Sequence, residues 1–323
     1  MNSSKKIEII EPGNQLNLYG YDNYFHSFKN LHVKNKLPSV MLLSGPKGLG
    51  KSTFVYHFIS FLLSYGEENE YSLKNFKINS DNPTFRLMKN GTHPNFFLLK
   101  NIFPGENIKI DQTRNLLKYL NKTTYSKGIK VVLLDNAEYL NLNASSALLK
   151  SLEEPSENTT FFIIHNDSSK ILDTIKSRCT EFKFFFSTHD KKNIFNKIVE
   201  NYQLDFNDVN LDRFLYFDTP GNFLKYLIIL KDSNLDISKD YLSCILFFME
   251  LYRSEKNPEL LNFITLFIEN FYNELSLNNS TNINHYYNNR NKILYLISDM
   301  NKFHLNKKDL LFTIDNILKD ERR

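Results

Sequence analysis

Between residues 39 and 164, short apolar runs alternate with helix-period stretches. Ser39–Leu43 is an apolar run followed by a glycine-rich turn and an apolar helical segment over Ser52–Ser64. Phe96–Leu99 reads as a strand, and Gln112–Leu120 as a helix carrying Leu116, Leu117 and Leu120 on one side. Strand Lys130–Leu134, helix Asn143–Glu154 and strand Thr160–Ile164 complete the series. Uniformly apolar strands separated by helices predict a largely parallel sheet covered on both faces, an α/β fold. Residues 66 to 93 break the rhythm with Gly66-Glu-Glu-Asn-Glu and Asn79-Ser-Asp-Asn-Pro, and are expected to be an irregular surface excursion.

Beyond about residue 185 the strand signal fades. Leu242, Ile245, Leu246 and Met249 fall at i, i+3, i+4 and i+7, and Leu310, Ile314, Ile317 and Leu318 form a similar face. Leu275–Asn291, rich in Asn and Ser, reads as a long loop between helices. A chain of 323 residues is long enough for two or three domains.

Composition narrows the picture mainly by exclusion. No stretch of 18 or more apolar residues is present, so no membrane span is expected. The opening Met1-Asn-Ser-Ser-Lys-Lys leads into Ile7, Ile9 and Ile10, interrupted by Glu8 and too short for a secretory leader, so the expected compartment is the cytoplasm. A net charge of +4 without a run of five Lys or Arg does not by itself make a nucleic-acid surface. Cys179 and Cys244 are too few for a four-ligand zinc site, and Cys244 lies in an apolar helical run where core packing is expected.

The sharpest chemical signal is Gly45-Pro-Lys-Gly-Leu-Gly-Lys-Ser52, which satisfies G-x-x-x-x-G-K-[ST] between a strand and a helix. Glycines let the backbone turn its N–H groups inward around phosphate oxygens, and the following helix aims its N-terminal dipole at the same charge. Gly45, Pro46, Lys47, Gly48, Leu49, Gly50, Lys51, Ser52 and Thr53 are therefore the expected cradle for ATP or ADP. Lys51 would reach the terminal phosphates, and Ser52 would ligate Mg²⁺. Val131-Val-Leu-Leu-Asp135 is an apolar strand ending in a carboxylate, which supplies Asp135 as the second Mg²⁺ ligand. Asn136 follows, where hydrolysing relatives of this motif carry Glu; an amide can hold a water but cannot take its proton. Glu138 is either a substitute base or a solvated turn carboxylate.

Asn143-Ala-Ser-Ser-Ala-Leu-Leu-Lys-Ser-Leu-Glu-Glu-Pro155, followed by Thr174-Ile-Lys-Ser-Arg-Cys179, resembles bacterial clamp-loader subunits and their eukaryotic replication-factor relatives. Leu18-Tyr-Gly20, His93-Pro94 and Ile110-Asp-Gln-Thr-Arg114 strengthen the resemblance, which covers residues 12–183. Within that AAA+ family the absent Glu, the Gln112/Arg114 pattern and the length look most like delta-prime-type subunits of DNA polymerase III. The ATP-hydrolysing gamma/tau type is less similar.

The resemblance implies an AAA+ nucleotide-binding domain over 1–183, a helical lid over 184–232 and an all-α collar over 233–323. It implies Arg178 as an arginine finger acting in trans, worth roughly 10³–10⁵ in rate. Asn166 takes the sensor 1 place, or is an ordinary loop Asn. Thr219-Pro-Gly-Asn222 resembles the sensor 2 turn, with Asn222 where Arg is usual. Lys150, Glu153 and Glu154 form a solvated face or help position the finger. Cys179 is expected to pack, and no zinc is expected because residues 66–93 lack Cys. Implied partners are gamma/tau-like and delta-like subunits, the sliding clamp and primed DNA. Membership in the polymerase holoenzyme, with little hydrolysis of its own, follows from the same resemblance. A self-sufficient ATPase motor, a clamp-loader paralogue in DNA repair and a nucleotide-free scaffold remain open from the residues.

Overall fold

The computed structural model describes residues 8–103, 105–122, 128–204, 211–235, 240–255, 258–278, 282–302 and 307–321. The opening segment 1–7, and residues 279–281 inside the expected Asn-rich loop, lie outside them.

Five parallel strands form one sheet: β1 (Val40–Gly45), β2 (Phe96–Leu99), β3 (Lys130–Leu134), β4 (Thr159–Asn166) and β5 (Thr180–Lys183), in the order β2-β3-β4-β1-β5. Successive side chains of a strand point to opposite faces, and the core divides accordingly. Met41, Leu43, Val131, Leu133, Phe162 and Ile164 meet α1 (Asp22–Val33) and α2 (Lys51–Leu63) through Phe25, Phe28, Phe54 and Phe58. Val40, Leu42, Val132, Leu134, Phe161 and Ile163 meet α4 (Ile110–Leu120) and α5 (Leu142–Glu153) through Leu116, Ala144, Leu148 and Leu152. Burial on both faces is why these strands carry no polar alternation.

The strands and helices expected up to residue 164 are present with ends shifted by at most two residues. Two expectations need correction. Residues 66–93 are not an irregular excursion: they contain α3 (Pro83–Lys89), and Tyr71, Ile78, Phe85 and Met88 are buried in the sheet's first core. The polar residues there are spent on internal bonds. Asn82 caps α3 by accepting from Phe85 N–H (2.9 Å), and the Glu67 carboxylate accepts from Asn82 Nδ2 (3.0 Å) and Thr84 Oγ1 (2.8 Å). The expected loop over Leu275–Asn291 is helical for most of its length, because α11 (Pro258–Asn278) and α12 (Ile283–Lys302) extend into it from either side. Buried Tyr272, Tyr286, Ile293 and Ile297 give those polar stretches an apolar stripe, which outweighs weak Asn and Ser propensity.

The chain divides into two compact units. One comprises residues 8–205 and 218–224: the sheet, α6 (Asp173–Lys176), α7 (Thr188–Asn201) and the start of α9 (Pro220–Asp232). The other takes 1–7, 206–217 and 225–323. Its described part is helical: α8 (Leu211–Phe217), the rest of α9, α10 (Tyr241–Glu255), α11, α12 and α13 (Lys307–Asp320). Its core includes Cys244, Ile245, Phe248, Phe263, Phe267, Ile293, Ile314 and Leu318. Arg290 forks onto Glu269 (2.6 and 2.8 Å), tying α12 to α11. No helix among the described residues is long and apolar enough to cross a membrane.

Candidate functional site

The phosphate loop follows the buried strand β1 and enters α2 through three glycines with positive φ: Gly45 (151°), Gly48 (77°) and Gly50 (95°). Space, as well as φ, demands glycine at the first two. A Cβ on Gly45 would stand 2.8 Å from Phe184 O, and one on Gly48 would stand 2.4 Å from Thr219 Oγ1. Leu49 anchors the loop in the core, and Tyr21, the residue after the Leu18-Tyr-Gly20 segment, donates its hydroxyl to Leu49 O at 3.1 Å.

Residues 218–224, in the same compact unit, brace the loop from outside. Thr219 Oγ1 and Asn222 Nδ2 donate to Lys47 O (2.7 and 3.2 Å), and Gly221 N–H donates to Gly48 O (3.0 Å). Across a planar trans peptide the carbonyl and the next N–H point in opposite directions. Engaging these two carbonyls therefore turns the N–H groups of Gly48 and Leu49 away from the brace. Asn222, expected from the sequence at the sensor 2 turn, is spent on the loop's own carbonyl.

Lys51 is buried, with its ammonium donating to Gly45 O (2.6 Å) and Pro46 O (2.7 Å). Burial pulls its pKa down to about 8, against the opposing pull of Asp167, Glu138 and Asp135. Ser52 Oγ lies 3.0 and 3.2 Å from the two oxygens of Asp135. Burial raises the Asp135 pKa, and the Ser52 hydrogen bond works against that rise. A hydroxyl and a carboxylate side by side are hard oxygen donors suited to Mg²⁺, so these residues fit a magnesium–nucleotide ligand.

At the end of β3, Asn136 adopts a left-handed conformation (φ 60°, ψ 59°), which Asn tolerates better than Glu, and Nδ2 donates to Asn101 Oδ1 at 3.2 Å. The turn brings Glu138 back so that its carboxylate accepts from Asn166 N–H at 3.3 Å. Asn166 is the residue of β4 paired with Gly45, beside the loop; its Oδ1 accepts from Ser168 Oγ at 3.0 Å. The structure thus brings together Gly45–Thr53, Asp135, Asn136, Glu138 and Asn166.

Arg178 stands apart. Thr180 opens β5 and pairs with Met41, four residues before Gly45, or about 13 Å at ~3.3 Å per residue. Arg178 lies two residues further back, beyond the end of the strands opposite the phosphate loop. Its Nη1 donates to Thr174 O (2.7 Å) and its Nη2 pairs with Glu153. Cys179 is half-buried; its thiol donates to Ile175 O (3.1 Å), and burial pushes its pKa up to about 11. Sequence reasoning did not identify Tyr21 or Asp167 as parts of the site, and reached Thr219 only as the first residue of the Thr219–Asn222 turn. Of the first two, Tyr21 alone left a trace, in its adjacency to Leu18-Tyr-Gly20.

A five-stranded parallel sheet, a glycine-built phosphate loop at the end of β1 and an acidic β3 terminus beside it define a P-loop α/β protein of the AAA+ class. Residues 20–187 match the family model described as DNA polymerase III, delta subunit, and the chain belongs to that family. It is similar to DNA polymerase III subunit delta' of Pseudomonas aeruginosa, 39% identical over 140 residues that span 43% of this chain and 41% of the relative. The corresponding Escherichia coli subunit is 30% identical over 139 residues, 43% of this chain and 40% of the relative. Human replication factor C subunit 5 is 24% identical over 235 residues, 72% of this chain and 61% of the relative. The matched stretch spans about two fifths of the length of the bacterial relatives. Among solved structures, a gamma subunit-related protein of DNA polymerase III from Thermotoga maritima is similar at 18% identity over 92% of this chain and 99% of that one, with a TM-score of 0.40.

Proposed function

We propose that this chain is a delta-prime-like clamp-loader subunit that binds ATP or ADP with Mg²⁺ at Gly45–Thr53 and hydrolyses little of it. It supplies Arg178 to the triphosphate held by an adjoining gamma/tau-like subunit. In this proposal it works with a delta-like subunit in loading a sliding clamp onto primed DNA, in the cytoplasm. Residues 1–183, 184–232 and 233–323 serve as nucleotide-binding domain, lid and collar.

One observation carries the proposal: the parallel β5–β1 register sets Arg178 beyond the end of the strands opposite its own phosphate loop. A guanidinium so far from its own phosphate loop does not serve that nucleotide, and in this reading it acts on another chain's. Asn136 supports the other half, since no carboxylate occupies the position next to Asp135. Lys51 would meet the terminal phosphates, the backbone N–H groups of Gly48 and Leu49 would hold their oxygens, and Asn166 would lie beside the terminal one. Bound Mg²⁺ supplies charge neutralisation at the phosphates, with Ser52 and Asp135 as its protein ligands.

Arg178→Ala, in the reconstituted loader, is expected to lower ATP turnover at least a hundredfold, since such a finger is worth roughly 10³–10⁵. Nucleotide binding by the isolated chain is expected to stay unchanged. Undiminished turnover in the complex removes the finger assignment.

A second reading, a self-sufficient ATPase, is favoured by one contact, the Glu138 carboxylate on Asn166 N–H beside the loop. Steady-state turnover by the isolated chain separates the two: a rate matching ordinary AAA+ enzymes favours Glu138 as base.

A further inference from the structure

We propose that Glu153 is the positioning residue of Arg178, holding the guanidinium in the orientation from which it meets an adjoining subunit's phosphate. The proposal rests on the arginine-finger reading above and names what sets the finger's geometry.

Glu153 is the last residue of α5 and Glu154 follows as its cap. Carboxylates at a helix C-terminus face the negative end of the dipole, where Lys or Arg is favoured. Local helix energetics therefore argue against an acid here, and its partner explains it. Glu153 Oε1 accepts from Arg178 Nη2 in a charge-assisted bond.

The same helix fixes the finger's base. Ile175, fully buried, lies in one core cluster with Leu148 and Leu152 of α5. Ile175 O accepts from the backbone N–H of Arg178 (3.1 Å) and from the Cys179 thiol (3.1 Å). Thr174 O takes Nη1 at 2.7 Å, while Ser177 Oγ lies 3.4 Å from the same nitrogen. Backbone and tip are thus tied to one rigid rod of 12 residues. Nε is buried without a partner, so the ion pair offsets the burial of the cation's inner edge. A second N–H on Nη2 remains unspent among the described contacts, and the side chain is 25% exposed; in this proposal that N–H is the one that meets an oxyanion.

A long side chain loses rotamer freedom whenever it docks. A carboxylate that holds it beforehand removes most of that loss from the catalytic step. Glu153 also subtracts charge near the finger, but its side chain is 51% exposed, so solvent screens that effect. Orientation outweighs screening, and loss of Glu153 lowers turnover.

The test is steady-state ATP hydrolysis by the full chain reconstituted with ATP-hydrolysing clamp-loader subunits. Glu153→Gln is expected to lower kcat about five- to twentyfold with KM within twofold, and with assembly and melting temperature unchanged. Glu153→Asp, which keeps the charge on a shorter arm, should recover most of the rate. Adding Glu153→Gln to Arg178→Ala should cost nothing further. Wild-type kcat in both Glu153 variants, beside a slow Arg178→Ala, overturns the positioning role and leaves the finger standing. Wild-type kcat in Arg178→Ala overturns both. A rate loss that appears as raised KM or failed assembly assigns Glu153 to structure and overturns the proposal too.

Discussion

Raising the pH should loosen nucleotide from this chain well before an ordinary lysine would lose its proton. Lys51 is 5% exposed and, among the described residues, donates to the carbonyls of Gly45 and Pro46. Burial brings its pKa to about 8, despite the opposing charges of Asp167, Glu138 and Asp135. Only the ammonium form gains from a phosphate, whose own ionisation is complete above about pH 7. Bound phosphate keeps Lys51 charged, so binding above pH 8 must take up a proton. About nine tenths of the free protein is charged at pH 7 and about one tenth at pH 9, which weakens affinity about tenfold, with a further tenfold loss by pH 10. A lysine at its ordinary value would lose almost nothing by pH 9.

The assay is calorimetric titration of ADP–Mg²⁺ from pH 7 to 10 at fixed ionic strength. Two buffers of different ionisation enthalpy should report uptake of nearly one proton at pH 9. Lys51→Ala should bind weakly and without this pH dependence. An affinity constant within twofold up to pH 9.5, or the same slope in Lys51→Ala, refutes the reasoning. Folding stability moves the other way. Between pH 8 and 10.5 the unfolded chain holds more protons on Lys51 than the native chain does, so this group's contribution to stability rises with pH.

Acid should cost stability through His57, which is fully buried between Tyr71 Oη and Gln15 O (3.1 Å each) with burial bringing its pKa down to about 3. Below 6.5 the unfolded chain takes a proton that the native chain refuses, a loss of up to about 2 kcal/mol by pH 5. Urea titration at the two pH values reads it, and an equal slope in His57→Gln would discount this histidine. Gly48→Ala should cost more than Gly91→Ala. Both have positive φ (77° and 67°), but only at Gly48 would the new Cβ meet atoms, 2.4 Å from Thr219 Oγ1 and 2.6 Å from Asn222 Oδ1. The dihedral alone costs roughly 1–2 kcal/mol, so equal melting temperatures for the two variants would deny the brace on the loop. The Arg178 and Glu153 substitutions in the reconstituted loader complete the set.

The sequence by itself determined the sheet-forming strands, because a strand buried on both faces must be apolar at every position, and Val40–Leu43 and Val131–Leu134 are. It marked the candidate phosphate cradle as well: the glycines at 45, 48 and 50, Lys51, Ser52 and Asp135 stand out through residue type and spacing. Their physical requirements are local to a strand, a turn and a helix start. Tertiary structure decided what depends on distant parts of the chain. Residues 66–93 look irregular until Glu67, Asn82 and Thr84 are seen to satisfy one another over a buried Phe85. The 218–222 brace meets the loop more than 170 positions away, and spacing along the chain cannot encode such a meeting. Glu153 could be a solvated acid or a partner by sequence alone; the pairing arises because α5 ends where β5 begins. Burial, the source of the depressed pKa of Lys51, likewise exists only once both cores close around the sheet.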